Sequence, residues 1–128
     1  MFDKIELLNM AQRLAQHAAA RQSVVARNIA QVDTPGYRQR DIASFADTYR
    51  AGEGDGLRAT REGHLGTTES SAAPRPFLVE GGTIAPNGNN VSLEGEILKA
   101  AEIRQQHDMA LSIYRSGLGV IRASLGRR

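Results

Sequence analysis

The stretch Arg27-Asn28-Ile29-Ala30-Gln31-Val32-Asp33-Thr34-Pro35-Gly36-Tyr37-Arg38 decides how this chain is built. It ends a long apolar-periodic segment and runs directly into Pro-Gly. Pro35 has no backbone donor and its ring pushes Thr34 out of the helical region, so a helix arriving from the N-terminal side has to stop here. Proline followed by glycine is the order of a type II turn, in which Gly36 takes a positive φ. The string is a helix terminus with a fixed exit direction.

Upstream of it, Leu7, Ala11, Leu14, Ala18, Val25, Ile29 and Val32 recur at three-, four- and seven-residue steps and fall on one helical face. Ala15, Ala19 and Ala20 add helix propensity and permit close approach of a second helix. A helix from Ile5 to Val32 would be roughly 40 Å long. At the other end of the chain, Leu93, Ile97, Ala100, Arg104, His107, Leu111, Tyr114, Leu118, Ile121 and Leu125 alternate steps of four and three, a heptad seam broken only by Arg104 and His107. Ser92 is placed to cap this helix, Glu94 and Glu96 lie where the helix dipole favours negative charge, and Gly126 with Arg127-Arg128 suits its C-terminal end. Gly117 and Gly119 weaken its last third or mark close packing against a neighbour.

Between these segments the chain is rich in glycine and proline: Gly52-Glu53-Gly54-Asp55-Gly56, Gly63, Gly66, Pro74, Pro76, Gly81-Gly82 and Pro86-Asn87-Gly88. Strand-like material is confined to Phe77-Leu78-Val79 and a stretch near Leu57–Thr60, while Ile42, Phe45 and Tyr49 have the spacing of a short helix or packed arm. The expected fold is mainly α: long N- and C-terminal helices paired like a coiled coil, joined by a Gly/Pro-rich middle arm of loops and short β-hairpin. The expected divisions are residues 1–32, 33–91 and 92–128, together one structural domain. Two helices and such an arm enclose little core, and an open heptad seam is ordinarily buried against other helices, so oligomerisation or packing in a larger assembly is expected.

Composition excludes several classes of function. Sixteen Lys+Arg against 14 Asp+Glu leave a net charge of +2, without the basic stripe that a nucleic-acid groove demands. There is no cysteine, hence no disulfide framework, thiol nucleophile or thiolate metal site. Met1-Phe2-Asp3-Lys4-Ile5-Glu6 lacks the basic and apolar regions of a Sec signal, and no apolar run has the length of a bilayer span. His17, His64 and His107 have no paired spacing, the 52–56 glycines read as a flexible loop, and Asp41 and Asp47 read as a solvated helical face. The expectation is a non-enzyme with no catalytic, cofactor or metal residues and no small-molecule substrate.

Two strings carry a family resemblance. Asn28-Ile29-Ala30 followed by Asp33-Thr34-Pro35-Gly36-Tyr37 resembles the N-terminal signature of flagellar axial proteins, and Gly88-Asn89-Asn90-Val91-Ser92-Leu93-Glu94-Gly95-Glu96 resembles the approach to their C-terminal helix. Within that group the chain is most similar to the proximal rod proteins of the basal body, the FlgB type. Gln31 stands where the family usually has asparagine, Ile103 where a second asparagine is common, and His107 where an aromatic is usual. The resemblance implies a structural subunit of the rod that assembles helically through its terminal helices and transmits torque across the periplasm. It also implies export by the flagellar type III apparatus. Implied partners are further copies, rod proteins of the FlgC, FlgF and FlgG types, the junction protein of the FliE type and the MS ring. Taken without the two strings, the heptads equally describe a cytoplasmic coiled-coil adaptor or export chaperone.

Overall fold

The computed structural model describes residues 2–53 and 74–126. In chain order the elements are α1 (Phe2–Ala30), β1 (Arg40–Asp41), α2 (Phe45–Glu53), β2 (Phe77–Leu78) and α3 (Leu93–Ser124). The 29 residues of α1 and 32 of α3 make rods of roughly 43 and 48 Å. They run antiparallel: Leu8 lies against Gly117, Ala18 packs with Ile103, and Asn28 meets Glu96. Among the described residues no helix is long and apolar enough to cross a membrane.

The helix pair is narrow because its contact line is built from small side chains. On α1 it is Ala11, Ala18 and Val25, and on α3 it is Ile103 and Ala110, all buried; Ile29 and Ala100 pack against the Ala18–Val25–Ile103 cluster. Gly117 extends the line. A Cβ there would come within 2.8 Å of Leu8 Cδ2, so glycine is what lets Leu8 lie against α3. Of the two readings that sequence alone allows for Gly117, a weakened helix or close packing, close packing is the one observed.

α1 ends at Ala30, four residues ahead of Thr34, and the chain then winds through turns to Pro35. The Tyr37 N–H donates to the Thr34 carbonyl at 3.3 Å across Pro35-Gly36, and Gly36 takes φ 72°, as the Pro-Gly order requires. β1 and β2 form an antiparallel pair with Arg40 opposite Leu78 and Asp41 opposite Phe77. The Phe77 strand is thus in place, but its partner is the segment just after the turn. The Leu57–Thr60 stretch lies outside the described residues, as does the glycine run beyond Glu53, which closes α2.

α2 starts at a reciprocal cap: Ser44 Oγ accepts from the Asp47 N–H and donates to Asp47 Oδ2. It lies against α1 through Phe45, whose ring meets the edge of His17 at a centroid distance of 5.7 Å. Ser92 caps α3 as its position predicts, accepting from the Gly95 N–H.

Candidate assembly joint

At one end of the helix pair the turn after α1, the arm and the start of α3 meet in a buried polar joint. Its centre is Asn28, fully buried on the last turn of α1. Asn28 Nδ2 donates to the Arg40 carbonyl (2.7 Å) and to Glu96 Oε2 (2.9 Å). Its Oδ1 accepts from the Tyr37 hydroxyl (3.0 Å) and the Arg40 N–H (3.2 Å). Two donors and two acceptor bonds use the whole capacity of a carboxamide, so no other side chain of this size could replace it.

Glu96 is equally buried, one turn into α3. Besides Asn28 it accepts from Gln39 Nε2 (2.5 Å) and Lys99 Nζ (3.1 Å). Sequence alone assigns Glu96 to the helix dipole at an N-terminal turn; the structure places it inside, as the anchor of the arm. Lys99 also lies 3.5 Å from Asp41 Oδ2, and Asp41 is gripped by Arg21 through two bonds of 2.9 and 3.0 Å. A continuous run of charge therefore links Arg21 and Asp41 to Lys99 and Glu96. The reading of Asp41 as part of a solvated helical face is wrong: it is a buried strand residue paired with cations from both long helices. Asp47 is exposed and serves the α2 cap.

Burial alone pushes the Asp41 carboxyl up. The Arg21 guanidinium, the Ile42 N–H and the positive charges of Arg21 and Lys99 outweigh that and hold it below its ordinary value of 3.8. The same hydrogen bond to Asp41, working against desolvation, raises Arg21 above its ordinary value. His17 lies nearby on α1, buried, with Nε2 donating to the Ala43 carbonyl at 2.7 Å and Nδ1 without a partner.

Two further asparagines lace the turn to the approach of α3. Asn89 Nδ2 reaches the carbonyls of Gln31, Val32 and Thr34 at 2.8–2.9 Å, so the chain leaving α1 is held by a residue 55–58 positions away. Asn90 Oδ1 accepts from the Gln39 N–H at 2.6 Å, and its amide donates to the Val79 carbonyl. The Gly36 N–H donates to the Asn87 carbonyl, and Gly88 sits with its Cβ direction 3.5 Å from Gly36 Cα, so the two turns lie on one another.

The sequence-derived residues separate into three groups. Asn28 and Tyr37 of the first string and Asn90 and Glu96 of the second converge in the joint. Ile29 joins the core, Val91 and Val32 are half-buried, and Thr34 donates to Gln31 Oε1. Ala30, Asp33, Pro35, Leu93 and Glu94 face outward. Of the helical seam, Ala11, Ala18 and Val25 are buried and Leu14, Ala100, Leu111, Leu118 and Ile121 half-buried, whereas Leu7, Ile97, Tyr114 and Leu125 are exposed. Within this chain the fully buried line of α3 is Glu96–Ile103–Ala110, and the heptad seam runs beside it, with Ala100 packed on the α1 cluster. Asn89, which lies within the second string, joins Asn28, Tyr37, Asn90 and Glu96 in the joint. Gln39, Arg21 and Lys99 complete it with no local signal in the sequence.

No protein-family model matches the chain. It is 35% identical over 117 residues to the flagellar basal body rod protein FlgB of Agrobacterium fabrum, across 88% of this chain and 87% of that protein. It is 34% identical over 122 residues to the proteins of that name from Escherichia coli and Shigella flexneri, across 88% of each chain.

Proposed function

This chain belongs to the FlgB family of flagellar basal-body rod proteins, structural components of the basal body, and from that premise we propose how it is used. The subunit assembles helically through α1 and α3, which together form one layer of a tube crossing the periplasm and carrying torque. The middle segment leaves that layer at the joint. Neighbours are further copies and rod proteins of the FlgC, FlgF and FlgG types, with the FliE-type protein and the MS ring at the base. Export runs through the flagellar type III apparatus, and helix packing is completed by neighbours on assembly.

The observation that carries this reading is a division of labour in the helix pair. The pair is locked to the arm by the Asn28–Glu96 joint, yet leaves large apolar side chains of α3, such as Ile97 and Leu125, in water. Such a unit is shaped before assembly but unfinished. A heterologous contact repeated about an axis gives a tube rather than a closed ring.

The test is complementation in a flagellated cell lacking its own rod protein of this type. Pro35→Ala with Gly36→Ala lets the chain after α1 continue as helix and removes the positive φ, so basal bodies should fail to form. Leu111→Glu or Leu118→Glu should permit export and block assembly. Undiminished swimming with any of these variants would overturn the proposal.

A further inference from the structure

Among the described residues the arm lies on one flank of the helix pair. On that flank His17 meets Phe45 and Arg21 meets Asp41. Among the described residues the opposite flank carries an open groove of about 720 Å³ lined by Ala18, Ala19, Ala100, Ala101 and Ile103, with Arg104 and His107 on its α3 side. Stepping about 100° per residue, the heptad seam of α3 starts well round from the Ile103 line on this groove side and drifts about 20° per heptad toward α1. Its first members, Leu93 and Ile97, therefore prolong the groove and stay exposed, while Leu118 and Ile121 are half-buried. A seam of this kind is completed by another helix.

The outer face of α3 has the complementary features. Leu98 is 66% exposed and Met109 51%, on one stripe pointing away from Ile103, with Glu102 between them one turn after Leu98. Among the described residues neither Glu102 nor the groove's Arg104 makes an ion pair. An apolar knob beside a carboxylate thus stands on one surface, and an alanine-floored groove beside a guanidinium on another.

We propose that the groove receives α3 of a second copy of this chain, the two α3 helices running parallel, with Leu98 seated over Ala19 and Ala101 and Glu102 against Arg104. Groove and stripe are different surfaces, so each copy that fills a groove presents a fresh stripe, and the contact propagates without closing. In the parallel orientation Glu102, one turn after Leu98, comes level with Arg104, three residues after Ala101. The inference rests on the rod-subunit reading and specifies the contact that reading requires.

The chain has no cysteine, so disulfide trapping is free of background. Ala19→Cys and Leu98→Cys variants are co-expressed in flagellated cells lacking their own rod protein of this type, and isolated basal bodies are oxidised. A disulfide-linked dimer should form when both variants are present and be absent with either alone, since the sulfur atoms must come within bonding geometry. Gln12→Cys with Gln105→Cys, one heptad further along the same contact on each helix, is the second pair should Leu98→Cys fail to assemble. Arg104→Glu on the Ala19→Cys copy should cut the yield several-fold, and Glu102→Arg on the other copy should restore it. Swimming cells whose basal bodies give neither mixed dimer, or which give Leu98→Cys dimers alone in equal yield, would overturn the groove assignment and leave the rod reading standing. Absence of the unsubstituted chain from basal bodies would overturn the rod reading itself.

Discussion

The two ends of the α1–α3 pair are built on opposite principles. At the joint end, side chains of Asn28, Glu96, Asn89, Asn90 and Asp41 are buried and held by hydrogen bonds or ion pairs. At the far end the helices touch through Leu8 on Gly117, and Ile5, Leu7, Val120 and Leu125 are exposed. The joint end is locked by polar bonds within a single chain, with Leu93, Ile97 and Leu98 exposed beside the lock, and the far end has only apolar contact. Directional bonds fix a unique geometry because a buried polar group left unpaired is costly. Apolar contact is tolerant of its partner and suits a surface to be covered later. The molecule thus fixes its shape at the joint and keeps apolar surface along α3 for contacts made later.

The contrast is most directly broken at its centre. Asn28→Ala deletes four hydrogen bonds and leaves Glu96 short of a partner, and should cost about 3–4 kcal/mol of stability. Urea unfolding followed by circular dichroism would measure it, and limited proteolysis should then cut between Tyr37 and Asp41. A loss below 1 kcal/mol would mean that the joint does not govern the fold.

Asp41→Asn should cost less, about 2 kcal/mol at neutral pH, by loosening the bidentate Arg21 grip and the Lys99 contact. It also carries a pH signature. Because the folded-state Asp41 carboxyl is held below 3.8, its contribution is complete above that value and disappears as pH falls through the depressed one. The urea midpoint of the unsubstituted chain should therefore drop more steeply on acidification below about pH 4 than that of Asp41→Asn. Parallel curves would show that the pair adds nothing to folding.

The smallest effects belong to the far end and sharpen the comparison by their sign. A Cβ at Gly119 meets nothing within 4 Å, so Gly119→Ala should stabilise by about 0.5–1 kcal/mol through helix propensity. At Gly117 the same gain is opposed by Leu8 at 2.8 Å, and Gly117→Ala should come out near zero. Equal gains in thermal unfolding would mean that the far end is not packed at all.

How far this was legible in the sequence follows from the range of the forces involved. Helix periodicity, the Ser92 cap and the positive φ of Gly36 are set by residues within a few positions of one another. All are read from local order alone. The joint is not local: Asn28 and Glu96 gain their roles only from each other, and nothing around Asp41 announces a cation on α1. The two strings mark where the joint lies without giving its bonds. The heptad seam misleads in a different way. Glu96, Ile103 and Ala110 are also seven apart, so α3 carries two adjacent heptad stripes that meet at Ala100, and periodicity alone does not tell which of them a single chain buries against α1.

Asn28 and Glu96 are 68 residues apart in the chain, and that separation sets an order of events. Closing such a loop costs about 4 kcal/mol of chain entropy before any bond is made, whereas helical turns form within a microsecond from neighbouring residues. Secondary structure consequently comes early and the lock late. A chain of which only the first 90 residues are free to fold lacks Glu96, the carboxylate that Asn28 meets. The angle between helix pair and arm is therefore fixed last, by a bond that waits for the second helix.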